Sequence, residues 1–165
     1  MDIPADLNEF PFEQVPFDII GFDKKGKPIL LIEIKATHKP KERAREWLIA
    51  HTQSYMKTEK EDVPFAMLID DDDMEVFQLE RKNNEPIITF KTATALSYYE
   101  PEYGKKPIYY NYFVILLEAW LDDLAYRWKS EKPPLLEEVT AIGLLEYLHN
   151  GTTKSGERLS GETVY

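Results

Sequence analysis

Residues 17–36, FDIIGFDKKGKPILLIEIKA, decide how the rest of the chain is read. Two apolar runs, 17–22 and 28–36, flank Asp23-Lys24-Lys25-Gly26-Lys27. A short turn of this composition between such runs predicts a β-hairpin. The second run is apolar at each of Ile29-Leu30-Leu31-Ile32, which predicts a strand covered on both faces, hence a central one. It then ends in Glu33-Ile34-Lys35. Strand side chains alternate, so Glu33 and Lys35 share a face. Two charges at the end of a buried strand are costly unless they are paired or bind an ion. Asp18, on the partner strand, brings a second carboxylate to the same edge. The residues alone also fit a plainer picture, a surface Glu/Lys pair with Asp18 opening its strand.

An Asp followed after fourteen residues by Glu-x-Lys resembles the PD-(D/E)XK nuclease superfamily. The residues that carry the resemblance are Phe17-Asp18 after Pro16, then Ile32-Glu33-Ile34-Lys35. Within the superfamily the chain is most similar to the restriction-endonuclease-like domain at the N-terminus of type I restriction subunits. The resemblance implies that Asp18 and Glu33, with the backbone carbonyl of Ile34, hold Mg²⁺ or Mn²⁺, and that Lys35 positions or activates the attacking water. It also implies a Gln on the helix that follows, for which Gln53 is the match. The family places a Tyr four residues beyond that Gln; here Lys57 stands there and the aromatic is Tyr55. The family opens with a helix that supplies a further Glu. Residues 1–16 contain Pro4, Pro11 and Pro16 and are not expected to form a long helix, so Glu9 or Glu13 would have to replace it.

At 165 residues the chain is read as one domain with room for a real core. It has no cysteine, which excludes a disulfide framework and thiolate metal sites and fits a cytoplasmic setting. No apolar run approaches a membrane span, and Met1-Asp2-Ile3-Pro4 does not read as a signal peptide, so no membrane partner is expected. The net charge of −10 opposes a nucleic-acid partner. Residues 23–57 are the exception, with nine basic residues against four acids. Lys24, Lys25, Lys39, Lys41, Arg43 and Arg45 in this segment are candidate DNA contacts, although a solvated helix face would look the same.

Downstream, residues 41–57 predict a helix with Ala44, Trp47, Leu48, His51 and Tyr55 on its apolar face. Gln53 falls off that stripe, and His51 on it reads as a hydrogen-bonded packing residue. His38 reads as a loop histidine. Residues 64–69 predict a buried strand, 70–73 an acidic turn, 75–79 a second strand and 86–90 a short third. Tyr98, Tyr99, Tyr103, Tyr109 and Tyr110, interleaved with lysines, fit loop packing or an interface better than a base-stacking surface. Residues 112–128 predict the strongest helix, its stripe running from Phe113 to Trp128, and residues 136–149 another, stopped by Asn150-Gly151. Residues 151–165 are expected to be a flexible tail.

The expected architecture is therefore α/β: a restriction-endonuclease-like mixed sheet of about four to five strands, flanked by helices, in a single domain over 1–150. Its core would span 12–96 and its two extra C-terminal helices 108–150, the latter also a possible homodimer surface. The function that the resemblance implies is metal-dependent hydrolysis of DNA phosphodiesters. The alternative is a nuclease-fold module that binds or assembles without cleaving.

Overall fold

The computed structural model describes residues 16–35 and 40–156. The elements are β1 (Ile19–Phe22), β2 (Pro28–Ile34), α1 (Lys41–Glu59), β3 (Phe65–Ile69), β4 (Asp73–Gln78), a 3₁₀ turn (Leu79–Arg81), β5 (Ile88–Lys91), α2 (Thr92–Leu96), α3 (Tyr110–Tyr126), α4 (Leu136–Ala141), α5 (Leu144–Leu148) and β6 (Thr152–Ser155). The strands form one mixed sheet in the order β5-β4-β3-β2-β1-β6. Six strands replace the expected four to five. β2 and β3 are parallel and joined by the α1 crossover, whereas every other pairing is antiparallel.

The predicted hairpin forms, with Ile19 opposite Ile32 and Phe22 opposite Pro28. Asp23 Oδ1 accepts the N–H groups of Lys25 and Lys27, each at 2.9 Å. Gly26 adopts φ +85°, the left-handed region that side-chain-bearing residues avoid. β2 is apolar at consecutive positions because the sheet is covered on both sides. Leu30 and Ile32 enter a core with Met67, Val76 and the α3 residues Phe113, Leu117 and Trp120. Leu31 enters a second, smaller core with Ile20, Ala66 and Phe77 under Ala44 and Leu48 of α1. These are the two halves of a layered α/β domain.

Two differences from the sequence reading have clear causes. The single helix expected over 136–149 is two, because Gly143 at φ +87° interrupts it between α4 and α5. Residues 152–155, expected in a tail, form β6 on the outer side of β1. Gly151 permits this approach: a Cβ there would lie 2.0 Å from the carbonyl oxygen of Phe22. The isolated sequence Thr-Thr-Lys-Ser carries no strong strand signal; the exposed ladder of β1 supplies it. The long helix runs over 110–126 rather than 112–128. Trp128 lies beyond it, half exposed, with its indole N–H donating to the Ala119 carbonyl at 2.8 Å.

Candidate functional site

The site grows from the end of β2. Successive strand N–H groups point to opposite neighbours. The N–H of Lys35 goes to the Ile69 carbonyl on the β3 side at 2.9 Å. The N–H of Ile34 goes the other way, where β1 has already ended, and meets Asp18 Oδ2 at 2.7 Å. The carboxylate of Asp18 thus continues the β1–β2 ladder by one position. Asp18 is buried, and its Oδ1 accepts a hydrogen bond from the hydroxyl of Tyr110, the first residue of α3. The carbonyl of Ile34 leaves the strand on the same side as its N–H, toward Asp18.

Glu33 and Lys35 have the parity of Leu31 and lie on the α1 side. Glu33 Oε2 is 3.5 Å from Lys35 Nζ. That ammonium sits 4.3 Å from the ring centroid of Trp47, a cation–π contact. Behind Trp47 a column of rings leads inward: Trp47 to His51 at 4.5 Å, His51 to Phe17 at 4.3 Å, and Phe17 edge-on to Tyr55 at 5.7 Å. His51 Nε2 lies 3.0 Å from the Pro16 carbonyl. A carbonyl can only accept, so Nε2 carries the hydrogen. His51 therefore has the packing and hydrogen-bonding role expected of it. Asp18 bonds the Ile34 N–H and is held by Tyr110 of α3, whereas Glu33 and Lys35, the chain neighbours of Ile34, pair with each other on the α1 side.

The other predicted site residues are more scattered. Gln53 is exposed on α1, while its neighbour Thr52 turns inward and bonds the Ile49 carbonyl at 2.9 Å. Gln53 is not brought to the site. Lys24 and Lys25 occupy the hairpin turn, at the far end of β2 from Glu33, on the order of 20 Å away at about 3.3 Å per strand residue. Lys41 and Arg45 are near the site but already paired. Lys41 Nζ is 2.5 Å from Asp73 Oδ2, and Lys91 holds the other oxygen at 3.2 Å. Arg45 forms a bidentate pair with Glu75, at 2.9 and 2.6 Å. Arg43 is exposed. Lys39, His38, Glu9 and Glu13 lie outside the described residues.

Register explains why Glu75 belongs to this region. Glu33 pairs with Leu68 and Leu68 with Glu75, so the two glutamates lie on one face, two strands apart. Lys35, Lys41, Asp70, Asp73 and Glu75 line a small cleft under the first turn of α1. The hydrogen bond from Lys41 holds the Asp73 carboxyl below its ordinary range despite the opposing effect of burial. The same bond raises the Lys41 ammonium, and the Glu75 pair raises Arg45. Sequence reasoning missed Tyr110, Glu75 and the contact of Trp47 with Lys35. Tyr110 lies 92 residues from Asp18 and no local pattern joins them.

A lowered carboxyl stabilises the fold above its unfolded value of about 3.8 and loses that contribution as pH falls through the folded value. The stability of the parent protein is therefore expected to fall more steeply than that of Asp73→Asn below about pH 4. Urea unfolding at stepped pH would show two curves that converge in acid. Parallel curves would mean that Asp73 contributes nothing there.

Among the described residues no group of three or more His, Cys, Asp or Glu side chains is arranged to hold a metal ion. Comparison with known proteins adds no relative: no family model, no curated protein and no solved structure matches the chain.

Proposed function

We propose that the protein is a metal-dependent phosphodiesterase acting on DNA, with Asp18, Glu33 and Lys35 as its working side chains. One observation carries the reading: the carboxylate of Asp18 is bonded to the residue between Glu33 and Lys35, at 2.7 Å from the Ile34 N–H. It is framed by the β1–β2 hairpin, which the turn and apolar runs predicted, and by the parallel pairing of β2 with β3. Asp18, Glu33 and the Ile34 carbonyl are hard oxygen donors, the type that suits Mg²⁺ or Mn²⁺. A carboxylate oxygen carries two lone pairs, so accepting a hydrogen bond, as Asp18 does from Ile34 and Tyr110, is compatible with coordination. A cation bound there would polarise a phosphate and lower the pKa of a bound water. Lys35, its position restrained by Glu33 and the Trp47 ring, offsets negative charge that develops on the phosphate.

The test is cleavage of labelled single- and double-stranded DNA by purified protein in Mg²⁺, in Mn²⁺ and in EDTA. The parent is expected to cleave only with metal. Lys35→Ala is expected to cut about 100- to 1,000-fold more slowly, the usual effect of losing one positioned electrostatic group, with DNA affinity nearly unchanged. Metal is also expected to raise the melting temperature of the parent, by mass action, and not that of Glu33→Gln. If the parent leaves every substrate intact at high enzyme concentration, hydrolysis is abandoned.

A second reading is favoured by a specific observation. Asp18 already receives hydrogen bonds from Ile34 and Tyr110, and the nearby cations Lys41 and Arg45 are taken up by Asp73 and Glu75. On that reading the domain keeps the scaffold and binds or assembles without cleaving. It requires metal-independent behaviour, and the same assay separates the two.

A further inference from the structure

We propose that the outer edge of β6 and the face of α3 above it form a docking slot for an extended, basic segment of another protein, which adds to the sheet as a seventh strand. β6 closes the strand order, so among the described residues its outer ladder is open. It pairs with β1 from Ile19–Ser155 to Phe22–Thr152. α3 leans over this border, where Thr153 Oγ1 donates to Glu118 Oε2 at 3.2 Å. Residues 115, 118, 119, 122 and 126 follow helical spacing and make one stripe. With Trp128 beyond the helix, Ile115, Glu118, Ala119, Asp122 and Tyr126 line an open groove. Ile115, Tyr126 and Trp128 are 58%, 51% and 50% exposed. A strand added to β6 would lie about 4.8 Å farther out, beneath this stripe.

Charge selects the occupant. Glu118 and Asp122 are half-buried, and desolvation raises both carboxyls above their ordinary range although hydroxyls of Thr153, Ser155 and Tyr126 oppose it. Asp122 also pushes up Glu118. Among the described residues no Lys or Arg forms an ion pair with either. A lysine or arginine brought into the groove would relieve both effects. A second copy of the chain, related by a two-fold axis, would bring the same acids face to face, and a nucleic acid would bring phosphates. Strand addition meets these needs together: main-chain hydrogen bonds supply affinity, and alternate side chains supply specificity.

The experiment is an NMR titration of the full chain with an acetylated seven-residue peptide that alternates lysine with valine and threonine. Two control peptides are used, one with glutamate for lysine and one N-methylated on alternate amides. Expected are shifts confined to residues 152–155 and 115–128, and binding at least about 10-fold weaker for both controls, a loss of about 1.4 kcal/mol or more. E118Q with D122N is expected to cost the lysine peptide a similar factor while circular dichroism stays unchanged. Equal affinity for the glutamate peptide, shifts elsewhere, or no binding at millimolar peptide overturns the proposal. Two further results would also overturn it. If a chain lacking residues 157–165 binds at least about 10-fold tighter, its own tail is the occupant. If ultracentrifugation shows a dimer that I115D abolishes, the occupant is a second copy.

Discussion

Arg45→Met is expected to destabilise the protein by about 3–5 kcal/mol, the range found when one partner of a buried ion pair is removed. The Glu75 side chain is 4% exposed and its carboxylate is engaged at both oxygens by the Arg45 guanidinium. Arg45→Met would leave that carboxylate buried in the middle of the sheet, beside Leu68. Water cannot easily replace the lost cation there, so the penalty is mainly desolvation rather than lost attraction. The double variant Arg45→Met, Glu75→Leu removes the buried charge as well and is expected to recover most of the loss, or to exceed the parent. Urea denaturation of the four proteins closes the cycle. An effect below about 1 kcal/mol for Arg45→Met would put the pair with surface ion pairs and Glu75 in contact with water.

Asp18→Leu is expected to cost a comparable amount, about 2–6 kcal/mol. It removes the shared acceptor of the Ile34 N–H and the Tyr110 hydroxyl, and each buried donor left unsatisfied costs about 1–3 kcal/mol. Asp18→Asn separates structure from chemistry. Its amide oxygen can still accept from Ile34, and its NH₂ can donate to the Tyr110 oxygen, because a tyrosine hydroxyl both donates and accepts. Asn is therefore expected to keep stability within about 1.5 kcal/mol, the net worth of one ordinary hydrogen bond, while carrying no negative charge. If the site is a metal-dependent hydrolase, Asp18→Asn loses the metal-induced rise in melting temperature and all measurable cleavage. If Asp18 is only a ladder cap, parent and Asn variant behave alike with and without metal. Tyr110→Phe gives an independent check, since it should destabilise by about 1–3 kcal/mol in either case.

These two sites show which parts of the molecule were legible beforehand. The β1–β2 hairpin was, because its turn, its Gly26 and its apolar runs are local signals. The double-sided burial of β2 was legible for the same reason: Leu30, Leu31 and Ile32 leave no polar face. The shared face of Glu33 and Lys35 follows from strand parity, and their ion pair bears it out. The helices α1 and α3 were visible within two residues from their period. The extra strand was not. Thr152–Ser155 has no pattern of its own and becomes β6 only because β1 offers an open ladder and Gly151 lets the chain reach it.

The sequence by itself determined the layered α/β class, the central strand and the local group of Glu33, Ile34 and Lys35, because periodicity and parity act over a few residues. Only the tertiary structure decided what each charge faces. Asp18 is taken up by Tyr110, Glu75 by Arg45, and Lys35 by Trp47. Gln53 is left on the solvent side of its helix, and Lys24 and Lys25 at the distant turn. The physical reason is that a buried charge takes whichever partner the packing of separate elements brings within about 3 Å. Packing of that kind joins residues tens of positions apart and leaves no trace in local composition.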